Sequence, residues 1–138
     1  MTRHEIREEV FKLLFQVQFH DAEGLSDQLQ LATQEANNFR EEERLIPEEE
    51  LPEIRAKVEA ISEQIPKLDE EINSKVEGWK TGRMSKVDLT LIRLALYEIQ
   101  EEGLAAGIAI NEAVEIAKKY GSDSSPSFIN GALARLVK

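Results

Sequence analysis

Apolar residues recur at helical spacing along the chain. From Arg3 to Phe19, Ile6, Val10, Leu13, Leu14 and Val17 fall at helical intervals with Phe11 and Phe15 beside them, which predicts an amphipathic helix with a broad buried face. Thr2 and Glu5 have the spacing of a capping box at its start. Asp21–Gly24 interrupts the pattern, and Leu25, Leu29, Ala32 and Ala36 predict a second helix opening near Ser26 or Asp27. Pro47 and Pro52 cannot both begin one helix, so a loop is expected across about 41–51 and a third helix from near Pro52, with Ile54, Val58 and Ile61 on one face. Pro66 then punctuates the pattern. Leu68, Ile72 and Val76 continue on a fourth helix, whose first turns hold Asp69, Glu70 and Glu71 at the end the helix dipole favours.

After a short connection flanked by Gly78 and Gly82, the run from Ser85 to Gly103 differs from the others. Val87, Leu89, Leu91, Ile92, Leu94, Ala95, Leu96 and Ile99 leave almost no polar face, so this helix must be surrounded and is expected to be the central strut. Ser85 and Asp88 have capping-box spacing, although aspartate is shorter than the usual glutamate, and Gly103 is placed to stop the helix. Arg93 inside so apolar a run needs a partner from elsewhere or an exit to the surface. Ile110, Ala113, Val114 and Ala117 share one face of the next helix, which Gly121 is expected to end. A polar hairpin follows. Ser125 before Pro126 matches an N-cap with proline at the first helical position, and Phe128, Ile129, Ala132, Leu133 and Leu136 form the buried side of a last helix.

Charge changes this picture from that of a plain helical domain. The formal net charge is −10, which on its face argues against nucleic acid, because phosphate contacts need lysine and arginine. The excess is local: residues 1–20 carry three basic and three acidic side chains, residues 21–79 six and seventeen, and residues 80–138 eight and seven. The two ends can therefore present local basic patches while the middle repels polyanions or attracts a basic protein. Arg3, His4 and Arg7 at the start of the first helix are either a solvated face or an anion-binding arm. Trp79, beside Lys80 and Arg83, suits a core plug, a protein contact or a stacking platform.

Candidate chemistry is sparse. With no cysteine there is neither a disulfide framework nor a thiolate metal site, and the two histidines, His4 and His20, both lie in the first twenty residues. The carboxylate runs Glu41–Glu43 and Glu48–Glu50 have no convergent ligand set beside them and read as solvated or helix-start charge. No metal, cofactor or catalytic residue is expected. No apolar run approaches the roughly 18–20 residues of a membrane span, and the start of the chain lacks the apolar core of a signal peptide, so a cytoplasmic protein is expected.

Two segments are specific enough to carry a family resemblance. RMSKVDLTLIRLALYEI (83–99) and INEAVEIAKKYGSDSSPSFINGAL (110–133) resemble the NusB family of bacterial transcription antitermination factors, and the early arginines followed by LLFQVQF and the GWK before the central helix agree in order and spacing. The resemblance covers nearly the whole chain and is weakest across 21–52. It implies a single all-α domain over residues 1–138, with about seven helices in two small packed bundles, approximately 1–64 and 65–138. It also implies a non-catalytic role: pairing with a small-subunit ribosomal protein, NusE, and binding single-stranded boxA-type RNA within a transcription elongation complex, notably during ribosomal RNA synthesis.

The residues that the resemblance assigns to RNA are Arg3, His4 and Arg7 on the first helix, Lys86 and Asp88 at the start of the central helix, Lys119 and Tyr120 at the end of the next, and Asp123, Ser124 and Phe128 in and after the hairpin. Phe15, Trp79 and Arg93 are assigned to the protein partner. The chemistry is consistent, since single-stranded RNA is read by splaying bases onto aromatic faces and hydrogen-bonding their edges. The hairpin departs from the family pattern EDSPKF: Ser124 stands in place of a carboxylate and Ser127 in place of the lysine, changes of opposite electrostatic sign. A helical protein–protein scaffold that keeps the fold and binds RNA poorly is the alternative. RNA methyltransferases carry a similar helical domain, but this chain has no glycine-rich cofactor loop, no strand–helix alternation and no spare length for that chemistry.

Overall fold

The computed structural model describes residues 1–17, 46–76, 78 and 80–137. All regular secondary structure among them is helical: α1 (Arg3–Val17), α2 (Leu51–Lys75), α3 (Lys86–Glu101), α4 (Ala106–Tyr120) and α5 (Ser125–Leu136), with single 3-10 turns at Glu48–Glu50 and Thr81–Arg83. The described residues thus hold five α-helices where about seven were expected. The helix expected over 25–36 lies outside the described residues. The third and fourth expected helices are one continuous helix, α2. The chain divides into two compact units, Met1–Glu63 and Gln64–Lys138.

In the first unit, α1 opens on the reciprocal cap that its sequence predicts. The Thr2 amide donates to Glu5 Oε1 at 3.0 Å and the Glu5 amide donates to Thr2 Oγ1 at 3.1 Å, so two N–H groups that the helix cannot pair internally are satisfied. The donated bonds, first from the Thr2 backbone and then from its hydroxyl, hold the Glu5 carboxyl below its ordinary value. Val10, Phe11, Leu13 and Leu14 are buried, as are Ile46, Ile54, Val58 and Ile61 further along the unit. The 3-10 turn after Pro47 runs directly into α2 at Leu51. Pro52 therefore sits in the first turn, where its missing N–H costs no intrahelical bond.

Pro66 lies inside α2 and does not end it. Burial decides the outcome. Ile54, Val58, Ile61, Leu68 and Ile72 keep one helical register across the proline and are each at most 1% exposed, whereas Pro66 faces solvent. Five such side chains contribute on the order of 1.5–3 kcal/mol each. An interior proline costs about 3 kcal/mol.

The second unit is built on α3, whose Leu91, Ile92, Leu94, Ala95 and Leu96 are at most 1% exposed, as a helix without a polar face requires. Around it, α4 contributes Ala109, Ala113, Ile116 and Ala117, and α5 contributes Ile129, Ala132, Leu133 and Leu136; each of the three helices packs on the other two. Gly103, at φ +68°, ends α3 in the left-handed conformation that glycine accepts without strain. Arg93 finds its partner on α2: Nε donates to Asp69 Oδ1 at 2.8 Å and Nη2 to Oδ2 at 2.6 Å, a two-pronged pair that resolves the buried guanidinium.

Candidate nucleic-acid interface

The connection between α4 and α5 is a hairpin closed by serine. Gly121 ends α4 with its N–H on the Ala117 carbonyl at 2.8 Å. The Ser122 amide donates to Ser125 Oγ at 3.0 Å, and the Ser125 amide donates back to the Ser122 carbonyl at 3.0 Å. Ser122 Oγ lies 3.2 Å from both Ser124 Oγ and Ser125 Oγ. Ser125, expected as a forward N-cap, is instead the first residue of α5, only 1% exposed, with Ser124 in the cap position and making no side-chain cap bond. The reason is packing. Ser125 is turned inward against Gly121, so its hydroxyl satisfies the Ser122 amide behind it rather than an α5 amide ahead. A Cβ on Gly121 would lie 2.6 Å from Ser125 Oγ, so glycine is required there for room rather than for backbone conformation.

This hairpin forms one wall of a recess of about 550 Å³, and the start of α3 forms the other. Its lining is Met84, Ser85, Asp88, Ser122, Ser124, Ser127 and Phe128. The volume falls in the range of small-ligand sites, roughly 300–1,000 Å³. Ser85 caps α3 by accepting from the Asp88 amide at 3.1 Å. The aspartate does not return the bond, so only half of the capping box forms. Phe128 is half-buried, while Ser124 and Ser127 are exposed. Ser127 Oγ donates to the Ser124 carbonyl at 3.2 Å, and the Phe128 amide donates to the same carbonyl at 3.1 Å.

Of the residues that the sequence nominates for RNA, the recess unites Asp88, Ser124 and Phe128, which are up to forty residues apart in the chain. Lys86, Lys119, Tyr120 and Asp123 belong to the same unit without lining the recess. Lys86, Lys119 and Asp123 are exposed, and Tyr120 is half-buried with Lys119 Nζ 5.4 Å from its ring centroid, a cation over an aromatic face. Four lining residues, Met84, Ser85, Ser122 and Ser127, are not among those the sequence nominates for RNA; Ser85 is expected only as a helix cap and Ser127 only as a departure from the family hairpin. Met84 stands just before the Ser85 cap, and Ser122 is the hairpin residue nearest the glycine, so each had a positional signal but no chemical one.

Arg3, His4 and Arg7 lie on α1 in the first unit and differ among themselves. Arg3 is exposed and His4 half-buried, but Arg7 is only 8% exposed, so its guanidinium belongs to the packing of its unit. Of the partner candidates, Phe15 is half-buried with its ring centroid 6.1 Å from that of Phe11, Arg93 is bound to Asp69, and Trp79 lies outside the described residues.

Known proteins resemble this chain in sequence and in fold. The sequence profile of the NusB family matches residues 4–138. The chain is 50% identical over 138 residues to the transcription antitermination protein NusB of Agathobacter rectalis, covering 99% of this chain and 100% of that one. It is 40% identical to the protein of the same name from Lachnoclostridium phytofermentans, covering 99% of each. Among solved structures it is similar to T. maritima NusB, with a TM-score of 0.76, 32% identity, and coverage of 99% of this chain and 90% of that chain. The chain belongs to the NusB family.

Proposed function

We propose that this protein is a transcription antitermination factor, a non-catalytic cytoplasmic adaptor that binds single-stranded boxA-type RNA together with the ribosomal protein NusE and joins the elongation complex. One observation carries the RNA-binding reading. The fold brings an aromatic side chain, a carboxylate and four serine hydroxyls into a single recess, the combination needed to cover a splayed base and bond its edge. Exposed Lys86 and Lys119 on the same unit, and Arg3 on the first, supply phosphate contacts. The acidic stretch over 21–79 suits a basic ribosomal partner.

A titration of boxA-type RNA with and without NusE tests this reading. Affinity is expected to rise on adding NusE and to fall with salt, and the absence of any gain at low salt would reject the adaptor role. Phe128→Ala is expected to cost about 1–3 kcal/mol of RNA binding if a base stacks on the ring. The thermal transition is measured alongside, because Phe128 is half-buried. A folded variant with undiminished affinity would return Phe128 to a packing role and favour the scaffold alternative.

A further inference from the structure

A separate groove of about 520 Å³ runs between α4 and α5 and shares only Ser127 with the recess above. Its other walls are Gly107, Ile110, Asn111 and Val114 on α4, and Pro126 and Asn130 on α5. In a chain of which 32% is charged, none of these residues is. Ile108, next to Gly107 and one turn before Asn111, is 53% exposed and extends the uncharged surface.

Gly107 has no role in the fold that requires glycine. Its φ is not positive, and a Cβ there would meet nothing within 4 Å, so neither backbone conformation nor packing calls for it. Alanine would hold the helix better. What the glycine provides is a gap in the wall where another main chain can approach closely. Asn111 and Asn130 are exposed, and their carboxamides make no hydrogen bond among the described residues. An occupant that displaces their water must bring both donors and acceptors, since each carboxamide has one carbonyl oxygen and two N–H groups.

The lining decides which occupant fits. Single-stranded RNA would find no aromatic ring to stack on and no lysine or arginine for its phosphates, and Lys118, one turn beyond Val114, is held by Glu115 at 3.0 Å. A docking helix spends its main-chain groups internally and offers the carboxamides none of them. An extended segment keeps its N–H and C=O groups free to pair with carboxamides. A charged side chain on that segment would be covered without a partner, so an uncharged segment suits the wall.

We propose that the groove between α4 and α5 docks an extended, uncharged segment of a partner protein, whose main chain passes over Gly107 and pairs with the carboxamides of Asn111 and Asn130 while small apolar side chains rest on Ile110, Val114 and Pro126. This goes beyond the RNA-binding reading and does not depend on it.

The probe is a library of capped pentapeptides built from alanine, valine, serine, threonine and proline, screened against the full chain beside a matched library with lysine or glutamate at alternate positions. Hits are expected from the uncharged library alone, and NMR titration of a hit is expected to shift the side-chain amides of Asn111 and Asn130 and the Gly107 amide saturably. N-methylation of the central peptide groups of the hit removes N–H donors and is expected to weaken binding roughly tenfold, about one hydrogen bond. Gly107→Ala is expected to keep or raise the thermal transition, to leave binding of boxA-type RNA with NusE unchanged, and to weaken the hit roughly tenfold by filling the gap. No hit from the uncharged library, or a hit held as tightly by Gly107→Ala as by wild type, overturns the proposal. Undiminished binding of the N-methylated hit also overturns it, since the main chain is then not what is recognised. Competition between the hit and boxA-type RNA for the two asparagines would make the groove a nucleic-acid surface, and shifts that grow with protein concentration alone would make it a contact between copies; either result overturns the proposal. Failure of boxA-type RNA to bind removes the functional reading and leaves this inference standing.

Discussion

Gly121 and Ser125 show how single residues hold the candidate site. In a Gly121→Ala variant the new methyl would sit 2.6 Å from Ser125 Oγ, 2.7 Å from Ser125 Cβ and 2.9 Å from the Ala117 carbonyl oxygen, and the serine, 1% exposed, has no room to retreat. The variant is expected to lose about 1–3 kcal/mol of stability through overpacking, seen as a lower midpoint in urea. It is also expected to weaken RNA binding, because Ser122 and Ser124 line the recess on the same hairpin. Thr2 and Glu5 make a second residue-scale prediction, this time with a pH dependence. A carboxyl held below its ordinary 4.5 contributes stability that is present above that value and is lost as pH falls through the lowered one. Acidification should therefore fray the start of α1 only below the usual carboxylate range. Thr2→Val removes the hydroxyl and keeps the main-chain amide, the larger cause of the shift, so an NMR titration should show the Glu5 value rising part of the way back.

At the scale of elements, α2 and α3 are tied by the pair between Asp69 and Arg93, and the pair predicts an asymmetry. Asp69→Ala leaves a guanidinium that is 10% exposed without its carboxylate and is expected to cost about 3 kcal/mol, the lower end for a broken buried pair because Asp69 keeps 22% exposure. Replacing both partners together, Asp69→Leu with Arg93→Met, is expected to cost less than that single change, and equilibrium unfolding of the two variants decides. The sequence showed that Arg93 had to find a partner, since its own helix was apolar, but not which one, because Asp69 lies 24 positions away on another element. Pro66 shows the opposite failure. Proline is a strong local signal, but the apolar register that continues from Ile54 to Ile72 outweighs it and holds α2 together. The cap of α1, the stop at Gly103 and the burial of α3 were legible because each is set within one or two turns. Within the candidate site, Phe128 and Asp88 came through family resemblance. Their meeting in one recess depends on the packing of α3, α4 and α5, and no spacing along the chain encodes that.

For the molecule as a whole, charge sets how it meets RNA. A chain of net charge −10 repels a polyanion at long range, so whatever affinity it has must come from a few local cations together with contacts that are not ionic. A basic partner changes that balance by neutralising the acidic stretch and adding cations of its own. The slope of log affinity against log salt should therefore be shallow for the protein alone and steeper with NusE. The two arginines of α1 divide the effect. Arg3 is exposed and acts through charge alone, so Arg3→Ala is expected to leave the thermal transition unchanged and to make the slope shallower by about 0.7, the share of one phosphate on a single strand. Arg7 is 8% exposed, so Arg7→Ala is expected to lower the thermal transition first, with any loss of RNA binding following from that. If Arg7→Ala instead flattened the slope at unchanged stability while Arg3→Ala did neither, the phosphate contact would belong to Arg7, and the guanidinium would have to leave its buried position when RNA binds.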